Sequence, residues 1–176
     1  MYDQNHLAHR LRRASLGRED QLFLEHLVTG RETTYGQFFA NAERLATGLV
    51  ASGVQPGDRI AVQAPKTQIM LELYVATVLC GAVFLPLNTG YTASELRYFL
   101  GDAQPRLLVC DPRRAADLRA VADDCGVSDV LTIGVDESGT LADLRDAHQP
   151  GFAPVARAAG DLAAILYTSG TTGRSK

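Results

Sequence analysis

The clearest pattern of apolar positions begins near Tyr35. Apolar residues recur at intervals of three and four along residues 35–50, which is the spacing of one face of an α-helix. Thr34 and Gln37 have the spacing of a capping box at the start of this helix, and Gly53 suits a left-handed backbone at its end. The pattern therefore predicts an amphipathic helix that begins at Tyr35 and packs one face against a core.

Beyond this helix, short apolar runs alternate with helical patterns. The runs are mostly apolar, continuously so at 107–110, and of strand length, so they predict buried β-strands. Two of the helical segments have an N-terminal cap, a Thr-x-x-Glu capping box at Thr92 and an Asp-Pro pair at Asp111. The predicted strands are 59–63, 83–87, 107–110 and 130–133, and the predicted helices are 66–79, 92–100 (stopping at Gly101) and 112–124.

Strands that alternate with helices predict an α/β fold, in which a layered, mostly parallel sheet carries helices on both faces. Ligands of such sheets bind beyond the carboxyl ends of the strands. Residues 134–160 have a weak pattern, with one helical turn near 141–146, and predict a surface connection. The apolar run 162–167 then predicts one more buried strand.

The composition excludes some classes of function. The chain has 176 residues, 46% of them hydrophobic, and a net charge of -3, so it lacks the basic excess of a nucleic-acid-binding protein. The apolar stretch 69–87 contains Glu72 and Gly81, and a buried helix followed by a strand explains it better than a membrane span. Three cysteines without metal-site spacing predict reduced, mostly buried thiols in a cytoplasmic protein.

The last nine residues carry the candidate chemistry. Gly170 and Gly173 permit backbone angles that turn amide N–H groups toward one ligand, and Lys176 adds a compact positive charge. A loop of this kind directly after a strand is suited to binding the phosphates of a nucleotide. The candidate site residues are Thr168, Ser169, Gly170, Thr171, Thr172, Gly173, Arg174, Ser175 and Lys176.

The residues alone also allow alternatives to a phosphate loop. The spacing G-x-x-G-x-x-K differs from the G-x-x-x-x-G-K-[ST] of P-loop NTPases and disfavours that class. By composition alone, a flexible tail with a solvated lysine is an alternative. The four histidines are scattered, Tyr91 is more typical of a packing residue than of a ligand contact, and the sequence offers no candidate catalytic residue.

The string Tyr-Thr-Ser-Gly-Thr-Thr-Gly-Arg-Ser-Lys, which starts at Tyr167, closely resembles the signature of the adenylate-forming (AMP-binding) superfamily. That superfamily includes acyl-CoA synthetases and nonribosomal-peptide adenylation domains. The signature normally has proline where this chain has Ser175, and some acyl-CoA synthetases also carry serine there. Weaker matches follow the family's order at 33–38 (Thr-Thr-Tyr-Gly-Gln-Phe) and 79–88 (Leu-Cys-Gly-Ala-Val-Phe-Leu-Pro-Leu-Asn).

Within the superfamily, residues 85–92 and 161–167 resemble malonyl-CoA synthetases. The resemblance implies an acid–CoA ligase: a carboxylate attacks the α-phosphate of ATP to give an acyl-adenylate and pyrophosphate, and the thiol of coenzyme A then displaces AMP. It implies ATP, Mg²⁺ and coenzyme A, with malonate or methylmalonate as the acid. Residues 168–176 would hold the β- and γ-phosphates, and Thr172 would help to position Mg²⁺.

The resemblance also implies that residues 1–176 are the N-terminal portion of the AMP-binding domain, truncated at the phosphate-binding loop, and that the chain is inactive by itself. Two other functions stay open. One is a non-catalytic remnant that at most binds polyphosphate. The other is an interaction module whose unfinished sheet pairs with other chains. Neither a nucleic acid nor a membrane is an expected partner.

Overall fold

A computed structural model describes residues 5–27 and 29–168 of the chain. An N-terminal region is followed by a β/α alternation. The N-terminal elements are α1 (His6–Arg13), β1 (Leu22–His26), β2 (Arg31–Thr34) and α2 (Tyr35–Ala51). The alternation comprises β3 (Arg59–Gln63), α3 (Gln68–Leu79), β4 (Val83–Pro86), α4 (Ala93–Ala103), β5 (Leu107–Cys110), a 3₁₀ turn (Pro112–Arg114), α5 (Ala115–Asp124), β6 (Asp129–Thr132) and α6 (Thr140–Asp146).

The sheet is parallel, with the strand order β4-β3-β5-β6 and Ile60 of β3 opposite both Phe84 and Leu107. Successive side chains of β3 pack into two hydrophobic cores, one on each face of the sheet. Ile60 and Val62 pack with α2 and α3 on one face, and Ala61 packs with α4 and α5 on the other. Strands buried on both faces must be apolar throughout, which confirms the predicted α/β class with helices on both faces.

Helix α2 begins and ends as its sequence predicts. Thr34 accepts a hydrogen bond from the N–H of Gln37, whose side chain accepts one from the N–H of Thr34, so the capping box is complete. Gly53 has a φ of +86°, in the left-handed region that glycine adopts at low cost. The predicted apolar stripe is buried, with the exception of its ends.

Several predicted boundaries differ from the observed ones by a few residues, and two of the differences have a clear physical reason. Helix α4 continues through Gly101 to Ala103, because the guanidinium of Arg59 donates hydrogen bonds to the carbonyls of Ala103 (2.7 Å) and Gln104 (2.5 Å) and so satisfies the end of the longer helix. Strand β6 begins one residue early, at Asp129, where Arg106 forms an ion pair of 2.7 Å with the Asp129 carboxylate.

Residues 134–160 are not simply the predicted surface connection. Leu141 of α6 is fully buried against α2, and the N–H of Val155 donates to the carbonyl of Leu79. The antiparallel pair β1–β2 was not predicted at all. Its Phe23 lies 4.4 Å from the ring of Tyr35 and 4.9 Å from that of Phe38, measured between ring centroids, so it covers the start of α2.

The segment 162–168 lies at the edge of the sheet beside β4. The N–H of Phe84 donates to the carbonyl of Ala163 (2.9 Å), and the N–H of Ile165 donates to the carbonyl of Phe84 (3.0 Å), which is a parallel pairing. The prediction of a buried strand at 162–167 was wrong, because this segment forms a single isolated bridge to β4 and none of its residues is fully buried. Leu162 and Leu166 are 61% and 69% exposed, because the described residues provide no helix over this edge.

The apolar stretch 69–87 forms α3 and β4, as predicted. Within the described part of the chain, every helix is either too short or too polar to cross a bilayer.

Candidate functional site

The carboxyl ends of the parallel strands form one edge of the sheet, where β3 ends at Gln63, β4 at Pro86 and β5 at Cys110. Because the segment 162–168 runs parallel to β4, Thr168 emerges at this same edge. Thr168 therefore lies beyond the carboxyl ends of the strands, where the sequence predicts that the candidate loop begins. The other candidate residues, Ser169, Gly170, Thr171, Thr172, Gly173, Arg174, Ser175 and Lys176, lie outside the described residues.

A column of aromatic rings fixes the segment that leads into Thr168. The ring of Tyr167 lies 4.6 Å from that of Phe99 on α4, and Phe99 stacks on Tyr91 at 4.7 Å with an interplanar angle of 29°. Offset and tilted ring pairs at these distances are favourable beyond the area that they bury. Tyr91, considered from the sequence both as a ligand contact and as a packing residue, has a packing role here.

The hydroxyl of Tyr167 donates a hydrogen bond of 2.5 Å to a carboxylate oxygen of Asp102. Partial burial and this negatively charged acceptor together raise the pKa of Tyr167, so that the phenol stays protonated over the physiological range. The start of the candidate loop is thus held by backbone bonds to β4, by ring packing and by one side-chain hydrogen bond.

A polar network supports the neighbouring loop 88–91. The side chain of Gln63 is buried, and its amide nitrogen donates to the carbonyls of Asn88 (2.8 Å) and Tyr91 (3.1 Å). Its amide oxygen accepts a hydrogen bond of 2.7 Å from Arg114, whose same nitrogen lies 3.3 Å and 3.2 Å from the carbonyls of Thr89 and Tyr91. Every polar atom of Gln63 therefore has a partner, which is what burial of an amide requires.

Sequence reasoning did not find Gln63 or Arg114. Asp111 was identified as a cap, and its carboxylate does accept the N–H of Arg113 (2.9 Å). The Arg113 guanidinium also holds that carboxylate in a bidentate pair, which keeps the pKa of Asp111 below its usual range. The signal that could have drawn attention to Arg114 is its position four residues after the end of β5, on the carboxyl edge of the sheet.

The remaining candidate groups do not form a second cluster. Among the described residues, no three His, Cys, Asp or Glu side chains are grouped as metal ligands. Cys80 and Cys110 are buried, as predicted, and burial raises the pKa of Cys80 to about 12 and that of Cys110 to about 11. Thr172, the predicted magnesium-positioning residue, lies outside the described part of the chain.

The sequence profile of the AMP-binding enzyme family matches residues 9–176. The crystal structure of ATP-bound MatB from Rhodopseudomonas palustris superimposes with a TM-score of 0.91 at 46% identity, over 98% of this chain and 34% of that one.

Two curated relatives are ligases of different acids. The L-proline–[L-prolyl-carrier protein] ligase of Streptomyces coelicolor is 34% identical over 81% of this chain and 29% of its own length. The feruloyl-CoA synthase of an Amycolatopsis species is 35% identical over 84% of this chain and 28% of its own length. The chain therefore spans about a third of the length of these relatives.

Proposed function

The chain belongs to the AMP-binding enzyme family, whose profile spans residues 9–176, and we propose that it forms the N-terminal part of an ATP-dependent acid–CoA ligase. One observation carries the proposal. The segment 162–168 pairs in parallel with β4 and directs Thr168 to the carboxyl edge of the sheet, where α/β folds bind their ligands. A loop that begins there has its backbone amides available to a bound polyphosphate.

The residue types of the loop fit the phosphates of ATP. The hydroxyls of Ser169, Thr171 and Thr172 and the amides around Gly170 can donate hydrogen bonds to phosphate oxygens, and Lys176 can place its ammonium group near the terminal phosphates. Mg²⁺ neutralises negative charge on the phosphates when it is bound, and Thr172 is the residue that would help to hold it. In this proposal the loop binds the β- and γ-phosphates and retains pyrophosphate as it forms.

The proposed reaction has two steps. An acid carboxylate attacks the α-phosphorus of ATP, the bond to the bridging oxygen breaks, and pyrophosphate leaves. The thiol of coenzyme A then attacks the acyl carbonyl of the adenylate, and AMP leaves. Both steps develop negative charge that aligned donors and a cation stabilise, and in the first step that is the proposed role of this loop.

The proposed acid is malonate or methylmalonate. Residues 85–92 and 161–167 resemble malonyl-CoA synthetases, and identity to MatB is 46% over 98% of the chain. The two curated ligases of other acids are only 34% and 35% identical over a smaller share of it. These figures support the malonyl-CoA branch over the feruloyl and prolyl branches. The reduced thiols fit a cytoplasmic enzyme, as proposed from the sequence.

Calorimetric titration of the chain with ATP and Mg²⁺ tests the phosphate loop. We expect saturable binding that weakens by about tenfold or more in Lys176→Ala, because one charge-assisted bond is lost. Lys66→Ala is the matched control, since Lys66 is the chain's other lysine, is exposed and lies outside the loop. Absence of binding by the folded chain, or an equal effect of both substitutions, would contradict the proposal.

Turnover is expected to need more than these 176 residues. We propose that the chain alone does not catalyse acid-dependent exchange between ATP and pyrophosphate, and that a longer protein containing it does so with malonate or methylmalonate. The exposed Leu162 and Leu166 at the sheet edge favour one competing function, an interaction module. Concentration-dependent self-association without any ATP binding would support that function instead.

A further inference from the structure

Helix α1 carries a row of basic side chains along its solvent-facing side. Residues 5–18 contain four arginines and neither Asp nor Glu, although the chain as a whole has a net charge of -3. His6, His9, Arg10 and Arg13 have the spacing i, i+3, i+4 and i+7, so they follow one side of the helix over roughly 10 Å. They line a groove of about 420 Å³. These four residues are the basic row.

The four arginines of this region differ in how their charge is held. The guanidinium groups of Arg12 and Arg18 lie 5.1 Å and 5.0 Å from the centroids of two aromatic rings of α2, so both pack against the protein. Arg10 and Arg13 are exposed, and in the described part of the chain no ion pair includes either of them. Because arginine stays charged at physiological pH, two positive charges of the basic row face solvent without a carboxylate partner.

Helix α1 is fixed on the protein, so the basic row is preformed. Asn5, which caps the helix, is buried, and its side-chain nitrogen donates to the carbonyls of Val78 (2.9 Å) and Val155 (3.0 Å). Leu7 and Leu11 pack against the core on the other side of the helix. A surface whose position is set before binding loses little conformational entropy when a partner docks on it.

The basic row lies near the amino edge of the parallel sheet. Helix α3 ends at Leu79 and returns the chain to the start of β4 at Val83, and Asn5 is bonded to Val78 at this end of α3. The candidate loop begins at the opposite edge, where Thr168 emerges. A ligand at the carboxyl edge therefore leaves the basic row accessible.

We propose that the basic row is a docking surface for an acidic helix of a partner protein. Carboxylates at i, i+3, i+4 and i+7 of such a helix recur at the same intervals of about 5–6 Å as the basic side chains, so opposite charges match along the row. Leu16 follows Arg13 by one turn, to whose carbonyl its N–H donates (3.4 Å), and is 61% exposed. It gives the contact an apolar anchor at one end. The proposal does not depend on the ligase function.

A membrane fits this surface less well than a protein does. A helix that lies on a bilayer inserts a broad apolar face between the lipids. The apolar face of α1, formed by Leu7 and Leu11, is already covered by the core. The favoured partner is therefore a protein, and binding to anionic lipid is tested separately.

The test is a nuclear magnetic resonance titration of the ¹⁵N-labelled chain with a synthetic helical peptide. The peptide carries glutamates at i, i+3, i+4 and i+7 and a leucine one turn beyond them. We expect saturable shifts of the backbone amides of residues 6–16 at about 50 mM salt, and an affinity about tenfold lower at about 500 mM, because salt screens exposed charges. No saturable shifts at about 1 mM peptide, in a chain that stays folded, would overturn the proposal.

A second peptide controls for net charge. It has the same composition, but its glutamates are distributed around the helix, so it cannot place them all along the basic row. We expect it to bind about fivefold more weakly or less tightly still, since only part of its charge reaches the row. Equal affinity for the two peptides would contradict a docking surface with a defined spacing.

Variants of the chain locate the contact. Arg10→Gln and Arg13→Gln should each weaken binding about threefold or more, whereas Arg119→Gln, which removes the same charge from an exposed position on α5, should leave it unchanged. Leu16→Ala should also weaken binding, whereas Leu27→Ala, at a position that is 92% exposed, should not. Equal losses in these variants and their controls would contradict the assignment to the basic row.

Vesicles of phosphatidylglycerol and phosphatidylcholine test the membrane alternative. We expect the chain to remain in solution when the vesicles are sedimented at about 100 mM salt. If the chain instead sediments with them, the double variant Arg10→Gln/Arg13→Gln stays in solution, and the acidic peptide causes no shifts, the basic row binds lipid and the proposal is wrong.

Discussion

Tyr167 and Asp102 are joined by a hydrogen bond across 65 residues of sequence. The bond ties the segment that enters the candidate loop to the C-terminal end of α4, which also carries the ring neighbour Phe99. It is therefore a contact that stabilises the position of the loop's first residue without belonging to the loop itself.

We expect Tyr167→Phe to lower the free energy of unfolding by about 1 kcal/mol, the usual net value of such a bond. The Asp102→Ala change should cost a similar amount, and the double variant should cost no more than either alone. Urea denaturation of the four proteins gives this cycle directly. Fully additive losses would mean that the hydroxyl and the carboxylate do not interact.

The buried carboxylate of Glu72 gives a second prediction. It is fully buried, forms an ion pair of 3.1 Å with Arg145, and accepts hydrogen bonds from Asn41 and Gln68. Removing one partner of a buried pair leaves an uncompensated charge, so Arg145→Met should lower the free energy of unfolding by about 3 kcal/mol.

Matched variants separate charge from packing at this site. Arg119→Met breaks an exposed pair whose atoms are 4.0 Å apart, and it should cost less than about 1 kcal/mol. Adding Glu72→Gln to Arg145→Met should recover most of the lost stability, because the buried group is then neutral. Equal losses for Arg145→Met and Arg119→Met in thermal or urea unfolding would contradict this explanation.

Two helical glycines should respond in opposite ways to alanine. A Cβ at Gly48 would lie 2.7 Å from Cγ of Leu144 on α6, and overpacking should outweigh the gain in helix propensity, for a net loss of about 1 kcal/mol. A Cβ at Gly101 on α4 would meet nothing within 4 Å, so Gly101→Ala should stabilise by roughly 0.5 kcal/mol or more. Loss of stability in Gly101→Ala would mean that the helix does end there, as the sequence alone predicted.

The cysteines should differ in reactivity. Burial raises the pKa of Cys80 to about 12 and of Cys110 to about 11, so both stay protonated and shielded at pH 8. Cys125 is only half-buried. A thiol reagent should therefore modify one cysteine rapidly in the native chain and all three after denaturation, and Cys125→Ser should remove the rapid reaction. Rapid modification of Cys80 or Cys110 in the native chain would contradict the burial of these two thiols.

The raised pKa values of Cys80 and Cys110 also predict how the free energy of unfolding depends on pH. When folding raises the pKa of a thiol, the resulting stabilisation is fully present below the pKa of the unfolded chain, which is 9.0 for cysteine. For Cys80 this stabilisation is lost as the pH rises from that value to the folded-state pKa of about 12. The free energy of unfolding should therefore fall between about pH 9 and 12, and Cys80→Ala should make that fall shallower.

Much of the fold could be predicted from the sequence because it depends on local patterns. The stripe on α2, its capping box at Thr34 and the continuously apolar β5 are all set by residues close in the chain. The pair β1–β2 was missed because its strands are short, are largely exposed and have no turn signal strong enough to mark a hairpin.

The candidate site was predictable only in part. The loop stays a prediction, made because its glycines, hydroxyls and lysine are contiguous. Only its first residue, Thr168, is described, and it lies at the edge of the sheet that the βα alternation predicts. The network of Gln63 and Arg114 could not be predicted, since those residues are 51 positions apart and meet only because β3 and β5 are neighbours in the sheet.

The central claim is that residues 168–176 bind the phosphates of ATP. The most direct measurement is a nuclear magnetic resonance titration of the ¹⁵N-labelled chain with ATP and Mg²⁺, with the backbone amides assigned. The account predicts saturable shifts concentrated in residues 168–176, with smaller shifts at Tyr167 and at its ring neighbour Phe99. Saturable shifts elsewhere that leave residues 168–176 unchanged, or no shifts in a folded chain, would contradict it.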